Sequence, residues 1–219
     1  MHDIIKNYKE IISSIELKLK DQNIKVYPKV IAVSKTFKLD KILPLIDYGH
    51  LDYGENKVQE AIDKWSEIKL TKKDLILHLI GKLQTNKVKQ AIKIFDYIHS
   101  VDSEKLAKKI ADEEIKQGKK TKIFIQVNIG DEDQKSGINK NQLSDFYKFC
   151  KTLDLNVIGL MCIPPFEEDS KKYFEEMKLI NQNLNLSDLS MGMSSDYLEA
   201  INHSASYLRI GSSIFGNRN

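Results

Sequence analysis

The sequence predicts one closed (β/α)8 barrel, the TIM-barrel class of α/β fold, with an extra helix at its N-terminus. Three observations carry that expectation. The chain has 219 residues, enough for one sizeable core. Eight short apolar runs of strand length recur along it. Stretches with helical spacing of apolar residues lie between them, and strand–helix alternation is the pattern of a parallel sheet, which eight units can close. A doubly wound open sheet uses the same alternation; the count of eight favours the barrel.

In chain order, Ile4, Ile5, Tyr8, Ile11, Ile12, Ile15 and Leu19 recur at 3.6-residue spacing, which predicts an amphipathic first helix, placed as a lid at the bottom of the barrel. The strand candidates follow as "PKVIAVS" (28–34), "HLDYG" (50–54), "LILHLIG" (75–81), "YIHSV" (97–101), "KIFIQVN" (122–128), "NVIGLMC" (156–162), "LSMGM" (189–193) and "YLRIG" (207–211). Helical patterns between them include "ENKVQEAIDKWSEI", "SEKLAKKIADEEIKQG", stopped by Gly118, and "SKKYFEEMKLINQNL". No linker, low-complexity segment or composition break interrupts residues 1–219, so a single domain is expected.

Hydrophobic residues make up 41% and charged residues 30%, ordinary for a soluble globular chain. The formal charge is +3 and no basic block stands out, so nucleic acid is not an expected partner. Cys150 and Cys162 have no metal-ligand spacing, and reduced thiols are expected. The N-terminus lacks a signal-peptide pattern and no apolar run is long enough to span a membrane, which points to the cytoplasm. No extended apolar face is visible, so a monomer is expected.

Barrel chemistry gathers at the C-terminal strand ends. There the sequence places Lys35 after strand 1, Asn56 after strand 2, and His78, Gly81 and Lys82 at the end of strand 3. Asn128 ends strand 5, Met161 and Cys162 end strand 6, and Ser194 and Ser195 follow strand 7. Arg209, Gly211 and Ser212 end strand 8. Loops after strands 7 and 8 often form a phosphate site, and here both are rich in Gly and Ser. The same residues suit plain helix capping, with Asp196 and Glu199 in a capping-box relation. Lys35 at the barrel mouth could attack an aldehyde as a free amine, or simply snorkel at the rim. An amine beside a phosphate cradle fits either a sugar-phosphate aldolase or a pyridoxal phosphate site. Only two arginines occur, Arg209 and Arg218. An arginine at a pyridine nitrogen donates a hydrogen bond and leaves that nitrogen unprotonated; the alternative for Arg209 is an ion pair inside the barrel.

The ordered motifs "IAVSKT", "GENKVQE", "HLIGKLQTNK", "QKSG", "GLMCIPP", "LSMGMSSDY" and "RIGSSIFG" span roughly residues 28 to 216, and they resemble the pyridoxal phosphate homeostasis protein family. The resemblance implies a fold-type III barrel like the N-terminal domain of alanine racemase, with pyridoxal 5'-phosphate held on Lys35 as an internal aldimine. It implies Asn56 and His78 near the ring, Met193, Ser194, Gly211 and Ser212 around the phosphate, and Arg209 at the pyridine nitrogen. Family members usually carry Thr at the position of Ser212; the hydroxyl is retained. Lys135 in "QKSG" matches a lysine associated with a secondary, regulatory cofactor site. The implied role is buffering pyridoxal phosphate and delivering it to the apoenzymes that use it, without efficient turnover. Racemases draw their second base from a β-rich domain, for which this sequence shows no counterpart before Asn219. The competing reading is an enzyme, either an amino-acid racemase or a Schiff-base aldolase. An aldolase needs a further acid/base pair, and Asp52 and Glu55 beside strand 2 read instead as strand-edge and helix-start residues.

Overall fold

The protein is described by a computed structural model covering residues 3–132, 134–166 and 168–216. Eight parallel strands close into a barrel in simple sequence order: β1 (Lys29–Val33), β2 (Asp52–Glu55), β3 (Ile76–Leu79), β4 (Tyr97–Val101), β5 (Lys122–Gln126), β6 (Asn156–Met161), β7 (Asp188–Met193) and β8 (Tyr207–Ile210). The ring closes where β8 pairs with β1, Ile31 standing opposite Arg209. The helices are α1 (Asp3–Asp21), α2 (Leu39–Asp47), α3 (Val58–Thr71), α4 (Val88–Ile94), α5 (Glu104–Gln117), α6 (Lys140–Thr152), α7 (Ser170–Asn183), α8 (Tyr197–Asn202) and the single turn α9 (Ser212–Phe215). The barrel and added helix follow the sequence pattern, with strand ends within two residues of the apolar runs.

The helices form because one face of each is apolar and the sheet gives that face somewhere to go. In α5, Leu106, Ala107, Ile110 and Ala111 are buried, and Gly118 stops the helix in the left-handed conformation, φ 61°. Asn139 and Asp169 cap α6 and α7 with side chains that accept from the second helical N–H. Helix α1 is not the bottom lid that its position before β1 suggested. Its buried residues Ile11, Ile15 and Leu19 turn sideways, and it packs on α2, α8 and α9, with Asn7 donating to the Ile214 carbonyl at 3.1 Å. The reason is steric demand: α9 is one turn long and cannot cover the seam between β8 and β1, so α1 takes the place of the outer helix there.

The main core lies between strands and helices and centres on Trp65, Tyr53, Phe95 and Phe174, all fully buried. A second, smaller core fills the ring itself: Ile31, Tyr97, Phe124, Met161 and Tyr207. Branched aliphatics usually fill barrel interiors. Here two histidines join the aromatics, His78 stacking on Tyr97 and His99 on Phe124, each with ring centroids 4.4 Å apart.

Burial lowers the pKa of His50, His78 and His99, so all three are neutral in the fold. In the unfolded chain each takes up a proton as pH falls through about 6.5. The unfolded state then binds more protons than the folded state, and stability is lost as pH falls below that value. The slope is up to about 1.4 kcal/mol per pH unit for each histidine. Glu55 and Glu114, whose carboxyls burial pushes up, act in the opposite sense as pH falls through their raised values. Urea unfolding between pH 7.5 and 5.5 is therefore expected to give a falling stability on acidification, and His50→Gln should make that fall shallower.

Candidate functional site

A cavity of about 800 Å³ opens at the C-terminal end of the strands. It is the natural place for chemistry in this fold, because loops there are free to vary while the barrel holds their roots. Lys35, Asn56, Met193, Ser194, Arg209, Gly211 and Ser212 all lie on its wall, together with Val33, Ile80 and Ile163. The apolar side chains suit a flat ring, and the polar ones come from the ends of β1, β2, β7 and β8.

Lys35 stands on a turn fastened from both sides. Ser34 donates its hydroxyl to Glu55 at 2.7 Å, and Lys64 donates to the Ser34 carbonyl at 2.9 Å. Thr36, in the left-handed region at φ 69°, gives its backbone N–H to Glu60. Lys64 also binds both carboxylates, Glu55 at 2.9 Å and Glu60 at 3.0 Å, and Trp65 adds a third hydrogen bond to Glu55. The Glu55 side chain is wholly buried and that of Lys64 nearly so. Burial pushes the Glu55 carboxyl up against the pull of Lys64, Trp65 and Ser34. Glu55 is thus the last residue of β2 and a buried anchor, not the helix-start residue its sequence context suggested. Asn56 follows it, and Gly81 crosses so close above Asn56 that an added Cβ would meet the Asn56 carbonyl oxygen at 2.5 Å.

The β7–α8 and β8–α9 turns meet through one hydroxyl. Ser194 Oγ accepts from the backbone N–H of Gly211 and of Ser213, both at 3.3 Å. Asp196 is the residue before α8, but its carboxylate turns back to the Met193 N–H at 2.6 Å. Glu199 reaches His203 and Asn202, so the expected capping box is absent. Ser194 thus caps the start of α9 from the neighbouring turn, while Ser194, Ser195 and Ser212 all line the cavity.

Arg209 is buried on β8. It donates from Nη1 to Ser190 Oγ at 2.7 Å and from Nη2 to the Cys162 carbonyl at 2.8 Å. Among the described residues no carboxylate pairs with it directly, so the ion-pair alternative does not describe it. Its guanidinium has five N–H donors, and it borders the cavity.

His78 departs from the sequence expectation. It is fully buried and does not line the cavity, bonding instead to His99 and to Asp52, each at 3.0 Å. The strand period explains this. Side chains two apart share a face, so Ile80 comes to the mouth and His78 sits one layer below it. Asp52, read as a strand-edge residue, is thereby drawn into the barrel. Lys135 does not line the cavity; it pairs with Glu132. Cys150 and Cys162 are free and buried, and burial pushes both thiols up to about 12. Among the described residues no His, Cys, Asp and Glu cluster could hold a metal ion, and no helix is long and apolar enough to cross a membrane.

Comparison with known proteins identifies the family. Residues 16–219 match the family description "Alanine racemase, N-terminal domain". A pyridoxal phosphate homeostasis protein from Aquifex aeolicus is 36% identical over 200 residues, covering 87% of each chain. One from Escherichia coli K12 is 35% identical, covering 86% of this chain and 85% of that one. The solved structure of PipY from Synechococcus elongatus with PLP bound superposes with a TM-score of 0.81 at 32% identity, over 92% of this chain and 100% of PipY. Alanine racemase from Clostridium difficile shares the fold alone, at 14% identity and a TM-score of 0.67. The chain belongs to the pyridoxal phosphate homeostasis protein family, within the larger family of the alanine racemase N-terminal domain.

Proposed function

We propose that this chain binds pyridoxal 5'-phosphate in the mouth of its barrel and serves in the homeostasis of that cofactor, holding it and not turning over substrates. One observation carries the reading: an amine, a buried guanidinium and two hydroxyl-bearing turns converge on one cavity with apolar walls. That donor set fits a flat heteroaromatic aldehyde bearing a phosphate. When bound, the cofactor supplies an electron-withdrawing ring and a reactive aldehyde.

The chain's own residues do the rest. Lys35 supplies the amine that takes the aldehyde carbon, with loss of water. The Glu55–Lys64–Glu60 clamp fixes the turn that presents it. Ser194 and Ser212, with Met193 and Gly211 beside them on the wall, hold the phosphate region, and Asn56 borders the ring. Arg209 donates to the pyridine nitrogen; an arginine keeps its own proton and leaves that nitrogen neutral, which weakens the ring as an electron sink. Apart from Lys35, the described lining residues include no carboxylate, imidazole or phenol to act as a second acid or base. That composition favours a carrier over a racemase or an aldolase. Delivery to cofactor-requiring apoenzymes, a monomeric state and a cytoplasmic setting belong to the same proposal.

The decisive experiment is visible absorbance with added pyridoxal phosphate, then borohydride reduction and peptide mapping. The adduct is expected on Lys35 and absent in a folded Lys35→Ala variant; an adduct retained in that variant overturns the assignment. Lys64→Met leaves Glu55 buried without its counter-charge. It should cost about 3 kcal/mol in urea unfolding and weaken cofactor binding by loosening the Lys35 turn. Ser212→Ala should weaken pyridoxal phosphate by roughly tenfold or more, as expected for one hydrogen bond to an anion, while binding of phosphate-free pyridoxal stays unchanged in the same titration.

A further inference from the structure

Arg209 is the first member of a chain of hydrogen bonds that crosses the inside of the barrel. Its Nη1 lies 2.7 Å from Ser190 Oγ, which lies 2.8 Å from His99 Nδ1. His99 Nε2 is 3.0 Å from His78 Nδ1, and His78 Nε2 is 3.0 Å from Asp52 Oδ1. Ser190, His99 and His78 are all fully or almost fully inaccessible, whereas the Asp52 side chain is 16% exposed at the N-terminal end of the strands. Four strands contribute one link each to a line that begins at β8: β7, β4, β3 and β2.

The direction of every bond follows from the two ends. A guanidinium only donates and a carboxylate only accepts. A neutral imidazole donates from one nitrogen and accepts at the other, and a hydroxyl has a single proton. If both imidazoles are neutral, the line has one solution: Arg209 donates to Ser190, Ser190 to His99 Nδ1, His99 Nε2–H to His78 Nδ1, and His78 Nε2–H to Asp52. Burial keeps both imidazoles neutral, and the Arg209 charge acts on His99 in the same sense. Asp52 ends below its ordinary carboxylate value: burial raises it, but the hydrogen bond from His78 and the Lys29 charge pull it down.

We propose that Asp52, at the opposite end of the barrel from the cavity, is the counter-charge that polarises this chain, and that Ser190, His99, His78 and Asp52 are positioning residues for Arg209. With its proton committed to His99, the Ser190 hydroxyl presents only a lone pair to Arg209. The guanidinium plane is then fixed, and its remaining donors face the cavity in one orientation. The effect on the bound cofactor rests on the pyridoxal phosphate reading given above; the chain itself does not.

The chain is tested first in the cofactor-free protein by histidine and arginine side-chain NMR. With only two arginines in the sequence, Arg209 is readily assigned. The expected result is a neutral Nε2–H tautomer for both His78 and His99, with separate, slowly exchanging Nη resonances for Arg209. A protonated imidazole or an Nδ1–H tautomer at either position overturns the directed chain. Ser190→Ala and His99→Phe should merge the Arg209 Nη resonances. Met161→Leu, in the same interior core, controls for packing and should leave them separate. With pyridoxal phosphate added, His99→Phe and Asp52→Asn should change the ratio of the cofactor's two absorption bands and weaken binding about fivefold, and Met161→Leu should not. Identical spectra for His99→Phe and Met161→Leu would overturn the link to the cofactor. Absence of any binding by the wild-type protein would overturn the cofactor reading, while the tautomers would still decide the chain.

Discussion

The pairing of β8 with β1 is the contact on which the rest of this molecule depends. Ile31 stands beside Arg209 and Ala32 beside Ile210, so the first and last strands run side by side. In an open sheet these strands would be opposite edges, with Lys35 and Arg209 on far sides of the protein. Closure makes them neighbours on one cavity and removes both sheet edges at once. It also explains why the seam needs covering, and why α1 provides the cover.

A polar interior has to be satisfied bond by bond, because an unpaired buried group is costly. The barrel meets this need in two separate places, although Glu55 Oε2 stays without a hydrogen-bond partner in the first. Outside the ring, Glu55 and Lys64 neutralise each other while steadying the Lys35 turn. Inside the ring, Arg209 is bonded to neutral acceptors: Asp196 acts on its charge without a direct bond, and the hydrogen-bonded line from it ends on the Asp52 carboxylate, three groups away. The first arrangement is a compact ion pair; the second spreads one dipolar line across the fold. Both end on groups that border or support the same cavity.

Much of this was legible in the sequence, for particular reasons. Strand runs are visible because parallel strands are buried on both faces and read as continuous apolar segments. Arg209 stood out by rarity in a lysine-rich chain, and Lys35, Asn56, Ser194 and Ser212 by their place after strands. His78 was misplaced because a one-layer difference along a strand depends on which residue of the pair reaches the rim, and Ile80 does. Ser190, His99 and Asp52 were not legible as a group, since they are brought together across strands distant in sequence. The sideways setting of α1 depends on the brevity of α9, which "GSSIFG" alone does not reveal. The clamp on the Lys35 turn shows only as acidic and basic letters at the start of an ordinary helix.

The seam helix has a consequence for the order in which the molecule can be made. On the ribosome α1 is synthesised before the barrel, yet the surfaces it covers belong to α8 and α9, which follow β7 and β8. Until they arrive, its apolar stripe of Ile11, Ile15 and Leu19 can rest only on α2 or stay wet. Contacts of such long sequence separation form late and slow folding. Vectorial synthesis therefore leaves an apolar helix waiting while the whole barrel is made, a natural client surface for chaperones that hold nascent chains.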